Sequence, residues 1–147
     1  MTTDTSSHLR IDARLDRVAE ARALVRTFAI EHGAPEVCVD DLVQAVDEAL
    51  TNVILHGYAG RDGTIDVTVA GDEDELEITL SDDAPPFDPT AAPEPDLAVA
   101  PQLRRPGGMG IHLMRLATDS IVHTARPGGG NMLTLRRRTD PRPKEER

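Results

Sequence analysis

The spacing of apolar positions changes character several times along the chain. From Leu15 to His32, apolar residues recur at three- and four-residue steps (Leu15, Val18, Ala21, Leu24, Val25, Phe28), which predicts an amphipathic helix closed by Gly33. A second helix is expected after Pro35. Its Leu42, Val43, Val46, Leu50, Val53 and Ile54 share one face, and Gly57 is the expected stop. Strict alternation marks the strands. His8–Ala13 reads as a short edge strand. Thr64–Ala70 and Glu75–Ser81 form a hairpin across an acidic turn. Ser120–Ala125 and Met132–Arg136 form another, joined by Pro127-Gly128-Gly129-Gly130-Asn131. A further apolar helix runs through Ile111, Leu113, Met114, Leu116 and Ala117.

The order strand, helix, helix, hairpin, helix, hairpin predicts an α+β protein: a two-layer α/β sandwich with a mixed, mostly antiparallel sheet and helices on one face. One domain is expected over residues 8–138, with disordered tails at 1–7 and 139–147. Between Asp82 and Pro106 the pattern fails, and seven prolines occur there. A stretch this long without a period inside one domain reads as a functional segment, here a lid over residues 84–106.

Composition narrows the function classes. A net charge of -10 on 147 residues argues against a nucleic-acid surface and against an anionic membrane surface. No apolar run reaches membrane-spanning length, and the N-terminus lacks a basic and apolar leader, so a cytoplasmic location is expected. The single cysteine, Cys38, excludes an internal disulfide and a cysteine-based zinc cluster. With no Trp and three other aromatics, the core must be aliphatic.

Two stretches carry candidate chemistry. Glu48, Asn52 and His56 stand four apart on one stripe of the second helix, beside the small residues Ala45 and Ala49. A carboxylate and an amide next to open space can do chemistry; a solvated polar stripe is the plainer alternative. Gly107-Gly108-Met109-Gly110 opens a helix, where glycines let backbone N–H groups approach an anion and the helix start favours negative charge. Arg104 and Arg105 lie just upstream; a flexible hinge is the alternative here. The stretch is neither a Walker A loop nor a dinucleotide-binding fingerprint.

Together, Glu48-x-x-x-Asn52 with His56-Gly57-Tyr58, then Asp82-Asp83-Ala84-Pro85-Pro86-Phe87-Asp88-Pro89, then Gly107-Gly108-Met109-Gly110-Ile111-His112-Leu113, resemble the three nucleotide-binding boxes of the GHKL ATPases. The Pro-Pro-Phe-Asp-Pro wording and the short chain look most like the RsbW-like anti-sigma factor serine kinases. The resemblance implies ATP and Mg²⁺ as cofactors. It implies Glu48 as the general base, Asn52 as the Mg²⁺ ligand and Asp82 as the acceptor for the adenine amino group. Gly107, Gly108 and Gly110, with Met109 between them, would wrap the phosphates. Ala84 and Phe87 of the second box and Thr134 of the last strand would lie near the base, and Arg105 would reach the outer phosphate. Ala84 departs from the family pattern, which has glycine there. The implied function is a protein serine/threonine kinase and anti-sigma factor in a partner switch, phosphorylating a STAS-domain antagonist. The implied partners are that antagonist and a sigma factor or other regulatory target, and a homodimer is compatible with the resemblance. The alternative is a catalytically weak ATP- or ADP-binding module that sequesters a partner.

Overall fold

Strand β1 (Thr5–Asp12) lies antiparallel along β2 (Thr64–Gly71), from Thr5 opposite Gly71 to Asp12 opposite Thr64. β2 pairs with β3 (Glu75–Asp82) as the expected hairpin, and β4 (Ser120–Ala125) pairs with β5 (Asn131–Arg138). The computed structural model of the protein describes residues 5–91 and 108–142. The strand order is β1-β2-β3-β5-β4, with antiparallel pairing at every step. Because β5 and not β4 sits against β3, the last residue of β3, Asp82, stands opposite the first residue of β5, Asn131.

Alternation sends Ile65, Val67, Val69, Leu76, Ile78, Leu80, Leu133 and Leu135 to one face of the sheet, all buried. Helices α1 (Val18–Glu31), α2 (Glu36–Asn52) and α3 (Gly108–Ala117) cover that face, giving the two-layer sandwich. The core is aliphatic, with Phe28 and Tyr58 its only aromatic members. Among the described residues, no helix is long and apolar enough to cross a membrane.

Several boundaries differ from expectation. β1 starts at Thr5 rather than His8. Thr5 and Ser6 are exposed, so no hydrophobic pattern marked them; the full length of β2 supplies their backbone partners. Leu15–Arg17 forms a 3₁₀ turn ahead of α1, and Leu15 is exposed. The second helix does not stop at Gly57. After Asn52 it widens into a π-turn, Val53–Tyr58, and is closed by Ala59 in the left-handed region (φ 52) followed by Gly60 (φ 86).

The C-terminal tail expected from Thr139 is tied down at its start. Thr139 donates its N–H to the Asp74 carbonyl at 2.9 Å. Fully buried Arg137 donates from Nε to Asp41 (3.0 Å) and from Nη1 to the carbonyls of Arg138 and Asp140. The Cys38 thiol also donates to those two carbonyls. Residues 143–147 lie outside the described residues, as do residues 92–106 of the expected lid and the Gly107 that follows it.

Candidate functional site

Glu48 and Asn52 leave the inner end of α2 one turn apart, Glu48 half-buried and Asn52 buried. α3 begins directly against them. A Cβ placed on Gly110 would lie 3.0 Å from Glu48 Oε2 and 3.5 Å and 3.6 Å from the two polar atoms of the Asn52 amide. Glycine at this position leaves a space bordered by a carboxylate, an amide and the first turn of a helix. Burial raises the Glu48 carboxyl above the ordinary range, and the neighbouring Asp47 charge adds to the rise. Asp47 itself is paired with Arg22 at 2.6 Å. His56 does not continue the stripe. The π-turn carries it out to an exposed position, where its ring is tilted against Phe87 with centroids 6.0 Å apart.

Asp82 is 4 % exposed at the end of β3. Its Oδ1 accepts the Ala84 N–H at 3.0 Å and an Asn131 Nδ2–H at 2.9 Å. Burial raises its carboxyl pKa, against the lowering effect of these two hydrogen bonds. The backbone around it is held from three sides. Arg126 Nη1 donates to the Asp82 carbonyl and to Asp83, both at 2.9 Å. The Tyr58 hydroxyl donates to the Thr64 carbonyl (2.6 Å) and accepts the Asp83 N–H (3.0 Å). Gly130 (φ 96) passes so close that a Cβ there would run into the Asp82 carbonyl.

Beside Asp82 lies a small, open recess. Val53, Phe87, Pro89 and Leu133 give it apolar walls, and Asp82, Asn131 and His123 form its polar side. Apolar walls with a few convergent polar groups suit a flat heteroaromatic ring carrying a hydrogen-bond donor.

Of the residues expected in the site, the structure brings Glu48, Asn52 and Gly110 together at one end and Asp82 and Phe87 at the recess. Ala84 packs into the core, 1 % exposed, with its methyl 3.6 Å from where a Cβ on Gly57 would be. Its backbone is not left-handed; among the described non-glycine residues only Ala59 has positive φ. Glycine is therefore not required at Ala84 by backbone conformation. Thr134 is not in the recess. It pairs with Thr79 and Val122 on the face of the sheet away from the helices, and its neighbour Leu133 lines the recess instead. Gly108 stands at the start of α3; Arg105, Gly107 and the Met109 side chain fall outside the described residues.

Sequence reasoning missed Asn131 and His123. Asn131 closes a glycine turn and reads as a turn residue; only the β3–β5 register puts it beside Asp82. His123 sits in an alternating strand with nothing local to single it out.

A family model described as the histidine kinase-like ATPase domain matches residues 11–137. The anti-sigma F factor of Clostridium acetobutylicum is 29% identical over 136 residues, covering 92% of this chain and 94% of its own length. The serine/threonine-protein kinase BtrW of Bordetella bronchiseptica is 33% identical over 101 residues, 68% of this chain and 70% of its own. The serine-protein kinase RsbW of Listeria monocytogenes is 30% identical over 118 residues, 77% of this chain and 75% of its own. Among solved structures, a Mycobacterium tuberculosis protein with RsbU and RsbW domains shares the fold, with a TM-score of 0.62 at 21% identity over 91% of this chain and 32% of that one.

Proposed function

The chain belongs to the histidine kinase-like ATPase family, and from that premise we propose that it is an ATP-dependent protein serine/threonine kinase acting as an anti-sigma factor in a partner switch. The observation that carries this reading is the space at Gly110, where a Cβ would touch Glu48 and crowd Asn52. A half-buried carboxylate whose pKa is raised by burial suits a general base. Glu48 takes the proton of the attacking serine or threonine hydroxyl as its oxygen bonds to the terminal phosphorus. The bond to the bridging oxygen breaks, and ADP leaves with that electron pair.

The recess receives the adenine. With Asp82 Oδ1 already occupied by Ala84 and Asn131, Asp82 Oδ2 is the acceptor for the adenine amino group. Phe87, Val53 and Leu133 flank the ring. The donor set also fits Mg²⁺, since an amide oxygen and a carboxylate border a cradle that a Cβ would fill. Asn52 is the residue that would hold the ion, and bound Mg²⁺ would neutralise charge on the phosphates. The start of α3 receives the phosphates, with Arg105 assigned to the outermost one from its place in the sequence. The phosphorylated partner is a STAS-domain antagonist, and the sequestered one a sigma factor or comparable regulator.

The non-catalytic alternative drew its support from Ala84. That support weakens, because the Ala84 methyl packs among core residues and its backbone makes no demand for glycine. Single-turnover transfer from terminally labelled ATP to a STAS-domain protein separates the two readings. Labelled phosphoserine or phosphothreonine is expected; ATP binding without transfer would favour the binding module.

A further inference from the structure

Arg115 joins α3 to the wall of the recess, and the nucleotide reading does not use it. It sits half-buried in the last turn of α3. A cation there already suits the helix dipole, and that role needs only the carbonyls of α3 itself. Its Nη2 instead donates to the Thr90 carbonyl at 2.8 Å, across 25 residues of sequence. A guanidinium bonded to a carbonyl is a charge-assisted contact, stronger than a hydrogen bond between neutral groups.

Thr90 lies in the 3₁₀ turn Pro89–Ala91, which is stiff in its own right. Asp88 Oδ1 accepts both the N–H and the hydroxyl of Thr90, and the Asp88 carbonyl accepts the Ala91 N–H at 3.2 Å. Pro89 of this turn is buried and lines the recess beside Asp82. Whatever holds the Thr90 carbonyl therefore holds the recess wall. At the other end of α3, Gly110 approaches Glu48 and Asn52. Gly110 and Arg115 stand about 7.5 Å apart along the axis, at a rise of ~1.5 Å per residue. Ile111, Met114 and Ala117 bury their side chains in the core and fix the helix between these two contacts. One helix thus touches each half of the site.

We propose that Arg115 is a positioning residue that locks the Pro89 wall of the recess to α3, so that the base and the phosphates of one nucleotide are held in fixed register. The proposal rests on the reading that the recess takes the base and the start of α3 the phosphates. With the register set in advance, a ligand that fills both halves gains over its separate parts, because binding one half places the other. Without the guanidinium, Asp88 still closes the turn, and each half still receives its own fragment. What is lost is the alignment between the halves.

The test is calorimetric titration of the full chain with ADP, adenosine and pyrophosphate, each with Mg²⁺, in wild type, Arg115→Ala and Arg115→Lys. Lysine keeps a charged donor for the Thr90 carbonyl. Arg115→Ala should lose about tenfold in ADP affinity while adenosine and pyrophosphate each change by less than about threefold, and Arg115→Lys should recover most of the loss. Unchanged ADP affinity overturns the proposal. So does a loss matched by either fragment alone, which marks local damage to one half. Should Arg115→Ala fail to fold, hydrogen exchange in the wild type decides. Adenosine alone should slow the amides of α3; exchange there that ignores adenosine overturns the proposal while the base site stands. Failure of wild type to bind ADP overturns the nucleotide reading and the proposal with it.

Discussion

Asp82 serves two opposed demands. Burial raises its carboxyl pKa in the folded protein, so folding favours the protonated form. The stability this group contributes is full below the unfolded-state pKa and is lost as pH climbs through the folded one; at neutral pH the ionised side chain is a cost. Asp82→Asn keeps an oxygen for the Ala84 and Asn131 donors and removes the charge. Without nucleotide, the variant should melt at a higher temperature than wild type at neutral pH, by a margin that shrinks as pH falls. If Asp82 accepts the adenine amino group as proposed, the same change places an N–H against that donor, and ATP affinity should drop by about 1–3 kcal/mol in calorimetry. A variant that binds ATP as wild type does would remove Asp82 from base recognition. Glu48, Asn52, Asp82 and Phe87 each stand in a spaced motif, which is why the sequence singles them out. Asn131 does not, since it becomes Asp82's partner only through the long-range β3–β5 pairing. Thr134 falls on the face away from the recess because its side depends on strand parity, and its neighbour Leu133 lines the recess.

At the scale of elements, two glycines set close approaches with different consequences. Gly110 brings the first turn of α3 against α2, where the nearest atom to an added methyl would be the flexible end of Glu48. Gly110→Ala should leave the melting temperature close to wild type, because the side chain can swing aside. Phosphate transfer should fall by about a hundredfold, since displacing a reacting group by about 1 Å can cost that much. Unchanged transfer would separate α3 from the chemistry. Gly130 meets backbone instead, and its φ of 96 is unfavourable for any side chain. Gly130→Ala should destabilise the fold by about 1–3 kcal/mol in denaturant unfolding; an unaffected midpoint would show that the β4–β5 turn relaxes freely. The periodicity announced the helices and both hairpins. It did not announce the π-turn at Val53–Tyr58 or the three extra residues of β1, because neither widening of a helix nor pairing of exposed polar residues leaves a hydrophobic signature.

Across the whole molecule, the pairing of β3 with β5 sets the recess beside Asp82, and the contact of α2 with α3 sets Glu48 and Asn52 beside Gly110. The opposite end of α2 is anchored by Arg137, whose guanidinium joins Asp41 to the carbonyls of Arg138 and Asp140. Arg137→Ala removes the buried cation paired with Asp41 and should cost about 3 kcal/mol of stability by chemical denaturation, while nucleotide affinity per folded molecule stays unchanged. A loss of affinity in fully folded protein would mean that the two ends of α2 are coupled. At the other end of α2, the proposed kinase reading makes Glu48 the base. Glu48→Gln retains size and hydrogen bonding and removes the proton acceptor. Single-turnover transfer from ATP to a STAS-domain antagonist, with ATP affinity measured in parallel, should show transfer reduced by roughly two to four orders of magnitude and affinity nearly intact; transfer at the wild-type rate would contradict the account.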